Sequence, residues 1–212
     1  MKTCRAVIVV VGLGLANAVH AQVLQGHPAG TGIASDGAGV FFNLRSIGGH
    51  DLSITGFDFY TWTPGTGVEV TVYTRPGGFA GFTTSPGAWT DRGATTVAAT
   101  TGLAGMDFVD TPDFVVRAGG VTGVYFHIGT NGIGYGTSAQ SSFRGRFIDD
   151  GRLQLEAGVS RSALFGGAQY GVAGTGPFRG FSGNIYYAAI PAPASLWFLG
   201  LVGMATMWHR RR

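Results

Sequence analysis

Apolar and polar residues alternate with a period of two along much of the chain between residues 40 and 189. The clearest rows place one apolar residue at every second position, as in Val68, Val70, Val72 and in Val124, Phe126, Ile128. This alternation is typical of β-strands with one buried face. It also predicts that His127, which lies between Phe126 and Ile128, points outward to solvent.

Glycine and proline mark the breaks between these rows. Of the 38 glycines in the chain, 34 lie in residues 22–190, a density that opposes helix formation. Turn pairs such as Pro76-Gly77 and Asp150-Gly151 separate the apolar rows, and the alternation changes phase at Gly56, which predicts a β-bulge. The pattern therefore predicts an all-β chain. We expect a single antiparallel β-sandwich or jelly-roll-like domain over 40–189, after a Gly-rich lead-in over 22–39.

The first 21 residues have the order of parts found in a secretory signal peptide. Lys2 and Arg5 precede an apolar run over 6–16, and small residues stand where a signal peptidase would cut after Ala21. Eleven apolar residues are too few to cross a bilayer as a helix. Cys4 would leave with the signal, so the exported body would contain no cysteine.

The last 23 residues combine a proline pair, an apolar run and a basic end. Pro191 and Pro193 flank Ala192, the run over about 195–208 contains no charged residue, and the chain closes with Arg210, Arg211 and Arg212. From 190 to 208 a helix would be about 28 Å long, which matches a bilayer core. The arginines would keep that end in the cytoplasm, with the body on the other side. The alternative is a buried core helix with a basic tail.

In this order of parts, residues 190–212 resemble the PEP-CTERM sorting signal of Gram-negative bacteria, with Ala192 standing where the family has Glu. The resemblance implies recognition by exosortase, a membrane-embedded enzyme of the cysteine transpeptidase type. It also implies release or transfer of the body to the cell surface or into an exopolysaccharide matrix. The body itself, from about Phe41 to Tyr187, resembles a sandwich domain common among such proteins, through segments such as LSITGFDF and FRGFSGNIYY.

Charge excludes one class of function. The formal net charge is +3, but the positive excess lies at the two ends of the chain. Residues 22–190 contain nine arginines, no lysine and all 11 acidic residues. A body with this balance does not match the basic surface that binding to nucleic acid requires.

Candidate catalytic chemistry is weak in this sequence, and we expect no catalytic residue and no cofactor. A Gly-x-Ser-x-Gly motif and the usual zinc spacings are missing. His27 and His50 lie in Gly-rich connections, where we expect them to be solvated or hydrogen-bonded. Asp107, Asp110 and Asp113 fall close together in what reads as one loop, so they are weak candidates for Ca²⁺, with turn formation as the alternative.

Aromatic residues offer the other candidate chemistry. Tyr60, Trp62 and Trp89 could present ring faces to sugars, while packing in the sheet is the alternative. The sequence thus predicts an exported, non-catalytic protein with a structural or adhesive role in an exopolysaccharide matrix. The partners would be signal peptidase, exosortase and the inner membrane. A carbohydrate-binding module, with or without Ca²⁺, is the alternative function, and a glycan hydrolase is a third.

Overall fold

The computed structural model describes residues 21–28, 32–33, 38–129, 132–139, 142–172 and 177–191. These residues form an all-β, antiparallel structure, as the alternation predicts. The strands are β1 (Gln22–Gln25), β2 (Gly32–Ile33), β3 (Gly39–Ser46), β4 (Leu52–Thr61), β5 (Gly65–Pro76), β6 (Thr90–Ala99), β7 (Asp107–Val116), β8 (Val121–Ile128), β9 (Ile133–Thr137), β10 (Phe147–Asp149), β11 (Leu153–Ala163), β12 (Gly166–Tyr170), β13 (Arg179–Phe181) and β14 (Asn184–Ala189). Single 3-10 turns occupy Pro86–Ala88 and Gly102–Ala104.

The strands join into one hydrogen-bonded sheet with two main parts. The first part has the order β1-β14-β4-β7, and the second has the order β11-β3-β8-β5-β6, with β10 and β12 also paired to β11. Strands β9 and β13 connect the two parts, since β9 pairs with β4 and β13 pairs with β11. This arrangement is consistent with a β-sandwich.

Apolar side chains from both parts meet in one core. The Phe57 ring of β4 lies 5.4 Å from the Phe126 ring of β8, and Phe181 of β13 packs against both. All three side chains are fully buried. The core therefore contains the residues that the period of two assigns to the buried faces of β4 and β8.

Two details of the sequence prediction can be compared with the strands directly. The register of β4 against both neighbours shifts between Ile54 and Gly56, which confirms the predicted bulge. The segment 22–39 is not only a lead-in, because β1 pairs with β14 along its whole length and Leu24 is buried in the core. Its apolar stretch, Val23-Leu24, contains only two residues and lies between Gln22 and Gln25, so it shows no alternation in the sequence.

The predicted membrane-related segments fall largely outside the described residues. Residues 1–20 of the signal peptide and the helix expected at about 195–208 belong to this group, as do Ala192, Pro193 and the three terminal arginines. None of the helical segments that the structure describes has the length and apolarity needed to cross a bilayer.

Candidate functional site

Part of the outer face of the second part of the sheet, which points away from the main core, is covered, and we call this part the covered half. Three aromatic residues from outside this face lie on it, and we call them the aromatic cap: Phe79, Trp89 and Phe165. Beneath the cap, the Phe41 ring of β3 stacks on the Tyr125 ring of β8 with centroids 3.8 Å apart. The covered half therefore forms a second, smaller core.

The segment around Phe79 can cover the sheet because two glycines of the strands let its atoms come close to their backbone. At Gly158, where β11 bulges away from β3, a Cβ atom would collide with the Phe41 carbonyl oxygen and the Phe79 ring. At Gly123 of β8, a Cβ atom would lie 2.9 Å from the Phe79 nitrogen. Glycine at these two positions lets the segment around Phe79 lie directly on the strands.

The covered half decides between the two alternatives for Trp89 and corrects the prediction for His127. Trp89 is only 9% exposed, and its indole N–H donates to the Phe82 carbonyl oxygen at 2.9 Å, so its ring faces pack on protein and not on a ligand. His127 is 7% exposed and its ring lies 5.7 Å from that of Tyr125, so it does not point to solvent. The alternation assigned His127 to the correct face, but that face is buried here. Burial also raises the pKa of Tyr125.

The other half of the same face is open and polar. Cross-strand register places Phe147, Glu156, Asn43 and Gly123 in one row over β10, β11, β3 and β8. The next row contains Gln154, Arg45 and Val121. Together these side chains line a cavity of about 320 Å³, which we call the polar groove: Asn43, Arg45, Val121, Phe147, Gln154 and Glu156.

Hydrogen bonds fix the floor of the polar groove. The Asn43 amide donates to Glu156 at 2.8 Å, and its oxygen accepts the Phe79 N–H at 2.9 Å. The Arg146 guanidinium pairs with the other oxygen of Glu156 and lies 4.9 Å from the centre of the Phe147 ring. Phe147 is nevertheless 49% exposed. The groove thus joins an exposed aromatic ring to amide and charged groups held in place, the combination that sugar recognition uses.

A second cavity of about 190 Å³ adjoins the groove at Val121. We call it the arginine cleft, and it is lined by Thr74, Arg75, Pro76, Arg92, Val115, Arg117, Gly120, Val121 and Thr122. It lies where the ends of β5 and β8 approach the end of β7.

The three arginines of this cleft have different partners. Arg117 pairs with Asp51 at 2.6 Å, and the Ala118 N–H and Arg117 hold the pKa of Asp51 below its usual range. Arg75 donates to the Gly78 carbonyl oxygen and lies over the Phe82 ring. Arg92 donates from Nε to Thr74 at 2.8 Å. Its two terminal nitrogens make no hydrogen bond with the described residues.

The acidic residues proposed for Ca²⁺ do not lie in one loop, and that prediction is wrong. Asp107, Asp110 and Asp113 belong to β7 and not to a loop, and they lie along its length opposite β4. Asp107 accepts hydrogen bonds from Thr100 and Thr101, and Asp113 accepts one from Ser53. The described part of the chain holds no group of three acidic, His or Cys residues placed for a metal ion.

His27 also differs from its prediction, because it is buried and not solvated. It is 2% exposed, its ring stacks on Phe143 at 4.1 Å, and neither ring nitrogen has a hydrogen-bond partner among the described residues. Burial, with a smaller contribution from the charge of Arg144, lowers the pKa of His27 from 6.5 to about 4. His50, in contrast, is exposed.

The remaining predicted residues are not brought together. Tyr60 is half-buried at the end of β4, and Trp62 beyond it is 38% exposed. Ala21 is exposed directly before β1, and Pro191 is exposed directly after Ile190. The groove residues were missed in the sequence. Their one signal was the polar alternate position in two apolar rows, at Asn43 and Glu156.

Comparison with known proteins gives no family for this chain. No family model matches the sequence, and no curated protein matches it. Among solved structures, an infectious bursal disease virus Gt strain structure has a TM-score of 0.24 at 15% identity, covering 88% of this chain and 47% of the viral one. The infectious bursal disease virus VP2 subviral particle has a TM-score of 0.26 at 17% identity, covering 90% and 47%. The chain thus spans less than half the length of either viral chain, and such scores do not indicate a shared fold.

Proposed function

We propose that this chain is an exported, non-catalytic protein of the cell surface or extracellular matrix, sorted by an exosortase-type enzyme. In this proposal, signal peptidase cuts after Ala21, and a helix over about 195–208 holds the chain in the inner membrane. The segment Pro191-Ala192-Pro193 then presents the processing site, with the arginine cluster in the cytoplasm. The body that remains is a sandwich of jelly-roll-like type with a structural or adhesive role.

The position of the two ends of the body carries this proposal. β1 begins at Gln22, and Gln22 pairs with Tyr187 of β14, so the first and last strands lie side by side. The Ile190 N–H donates to the Asp51 carbonyl oxygen at 2.8 Å, which fixes the point where the chain leaves the sheet. Both proposed cuts fall outside the strands and at one end of the body. Removal of both segments would therefore leave the sheet complete.

Carbohydrate binding is the second candidate function, and the polar groove supports it. The exposed ring in the groove is Phe147, which was not among the aromatic candidates Tyr60, Trp62 and Trp89. Of the six residues lining the groove, Glu156 is the one carboxylic acid, and Arg146 and Asn43 hold it. A glycan hydrolase needs a second carboxyl group across the cleft. The groove therefore favours binding over hydrolysis.

Fractionated cells test the sorting proposal. Full-length protein with Arg210, Arg211 and Arg212 replaced by Ser should escape retention before processing, since moving three charges through the membrane would no longer be opposed. Replacement of Pro191 and Pro193 by Ala should accumulate an uncleaved membrane form, as should deletion of the exosortase. Blots with an antibody against the body measure size and fraction, with Arg152→Ser as the control. Identical size and fraction in all strains would contradict sorting and leave the tail a plain anchor.

A further inference from the structure

We propose that the polar groove and the arginine cleft together bind an acidic polysaccharide, whose uronate carboxylates pair with Arg45 and Arg92. This inference rests on the carbohydrate binding proposed above and adds the chemical class of the ligand. It starts from the position of the two cavities, which are neighbours and share Val121 in their linings.

The length of the joined surface fits a chain of sugars. From Phe147 on β10 to Arg75 on β5, the row of paired residues crosses four strand spacings. At about 4.8 Å for each spacing, this is about 19 Å, which is longer than one sugar ring. The ring of Phe147 lies at one end, where a sugar face can stack, and the arginine cleft lies at the other end, where Arg75 is part of its lining.

The charge along this surface is positive and partly unpaired. Asp51 neutralises Arg117, and Glu156 neutralises Arg146. Arg45 is exposed and has no acidic partner among the described residues. Arg92 donates to the Thr74 hydroxyl and lies 5.8 Å from the centre of the Phe114 ring, and it too has no acidic partner there. Because residues 22–190 carry 11 acids against nine arginines, this local excess runs against the charge of the body. Guanidinium groups of this kind bind carboxylates through paired hydrogen bonds.

The shape of the surface favours a polysaccharide over the headgroups of a membrane. Both cavities are concave, and Arg92 is half-buried between the ends of β5 and β7. A flexible chain can enter such a cleft, whereas a flat bilayer surface contacts only what protrudes. Arg45 and Arg92 are therefore expected to meet the same ligand, and neither is expected to bind a vesicle.

Binding of the full-length chain in neutral detergent tests the inference. The surfaces are immobilised alginate, the same alginate with its carboxyl groups reduced to alcohols, dextran sulfate, and vesicles rich in phosphatidylglycerol. We expect alginate to bind at least about tenfold more tightly than its reduced form, and Arg45→Gln and Arg92→Gln each to weaken alginate binding about tenfold. Arg152→Gln, a matched loss of charge outside both cavities, should leave alginate binding unchanged.

The outcomes separate this inference from the function on which it rests. Equal binding of alginate and its reduced form, with both abolished by Phe147→Ala and neither by Phe108→Ala, would overturn the acidic ligand and keep carbohydrate binding. Failure of every glycan to bind would overturn both proposals. Binding to vesicles or dextran sulfate without binding to alginate would also overturn the uronate assignment, as would equal effects of Arg92→Gln and Arg152→Gln.

Discussion

The outer face of the second part of the sheet has two halves that use the same strands in different ways. On β3, Phe41 is fully buried under the aromatic cap, while Arg45, four residues further along, is exposed. On β11, Val159 is buried and Gln154 lines the polar groove. The strands are therefore not buried or exposed as units. What lies above each half decides its role.

The covered half contributes to stability, and the open half offers groups for binding. The covered half gains free energy from stacked and edge-on aromatic rings, which contribute beyond their buried area. The open half holds its polar groups in hydrogen bonds but leaves ring and guanidinium surface accessible. We therefore expect substitutions in the first to lower stability and substitutions in the second to lower binding.

The largest expected effect comes from Phe41→Ala. Its ring contacts Phe79, Trp89, Tyr125 and Phe165, so its loss leaves a cavity and should lower the free energy of unfolding by about 3–5 kcal/mol. Arg45→Ala, on the same face of the same strand, should change it by less than about 0.5 kcal/mol. Thermal unfolding of the full-length chain, followed by near-ultraviolet circular dichroism, measures both. Similar losses for the two variants would erase the distinction between the halves.

The second prediction concerns His27, a buried polar side chain outside both halves, and the effect of its burial on stability at low pH. Burial, with the nearby charge of Arg144, lowers the pKa of His27 from 6.5 in the unfolded chain to about 4 in the folded chain. Below pH 6.5 the unfolded chain binds a proton that the folded chain excludes, so stability is complete above that pH and falls as pH decreases toward 4. The loss should reach about 3 kcal/mol.

The control for this pH dependence is His27→Leu, which removes the titration and keeps a side chain of similar size. The difference in unfolding free energy between pH 7 and pH 4.5 should be smaller in this variant than in the unsubstituted chain. An unchanged difference would assign the acid sensitivity to carboxyl groups and not to His27.

The smallest expected effect comes from a comparison of two tryptophans, Trp89 in the aromatic cap and the more exposed Trp62. Trp89→Phe keeps an aromatic ring in the cap but removes the hydrogen bond to the Phe82 carbonyl oxygen, and should cost about 1 kcal/mol. Trp62→Phe, at a side chain 38% exposed, should cost less than about 0.5 kcal/mol. Chemical denaturation of the two variants in parallel gives the difference, and a larger cost for Trp62→Phe would show that exposure does not rank these residues.

Local patterns were enough to predict the all-β class and the bulge at Gly56. Both depend on side chains within a few residues of one another. The pattern failed at β7, where Asp107, Asp110 and Asp113 were expected in one loop. Val109, Phe114 and Val116 are nevertheless buried on its inner side, and a strand at the edge tolerates proline because one row of its N–H groups needs no partner.

The groove and the cap were beyond such patterns for a different reason. Asn43 and Glu156 meet across 113 residues of sequence, and only the pairing of β3 with β11 brings them together. Likewise, no residue near His127 in the sequence predicts that Phe165 and Trp89 will cover this face of the sheet. The sequence indicates which side chains share a face, and the long-range pairing determines what that face contacts.

The pairing of the first and last strands also has a mechanical consequence. β14 lies between β1 and β4 and is hydrogen-bonded to both. A pull on the chain beyond Ile190 acts along β14, so it must shear both ladders at once instead of peeling an edge strand bond by bond. Resistance to such a load depends on the rate of unfolding and not on equilibrium stability alone. A body tethered through its C-terminal end would thus take the load on a strand supported on both sides.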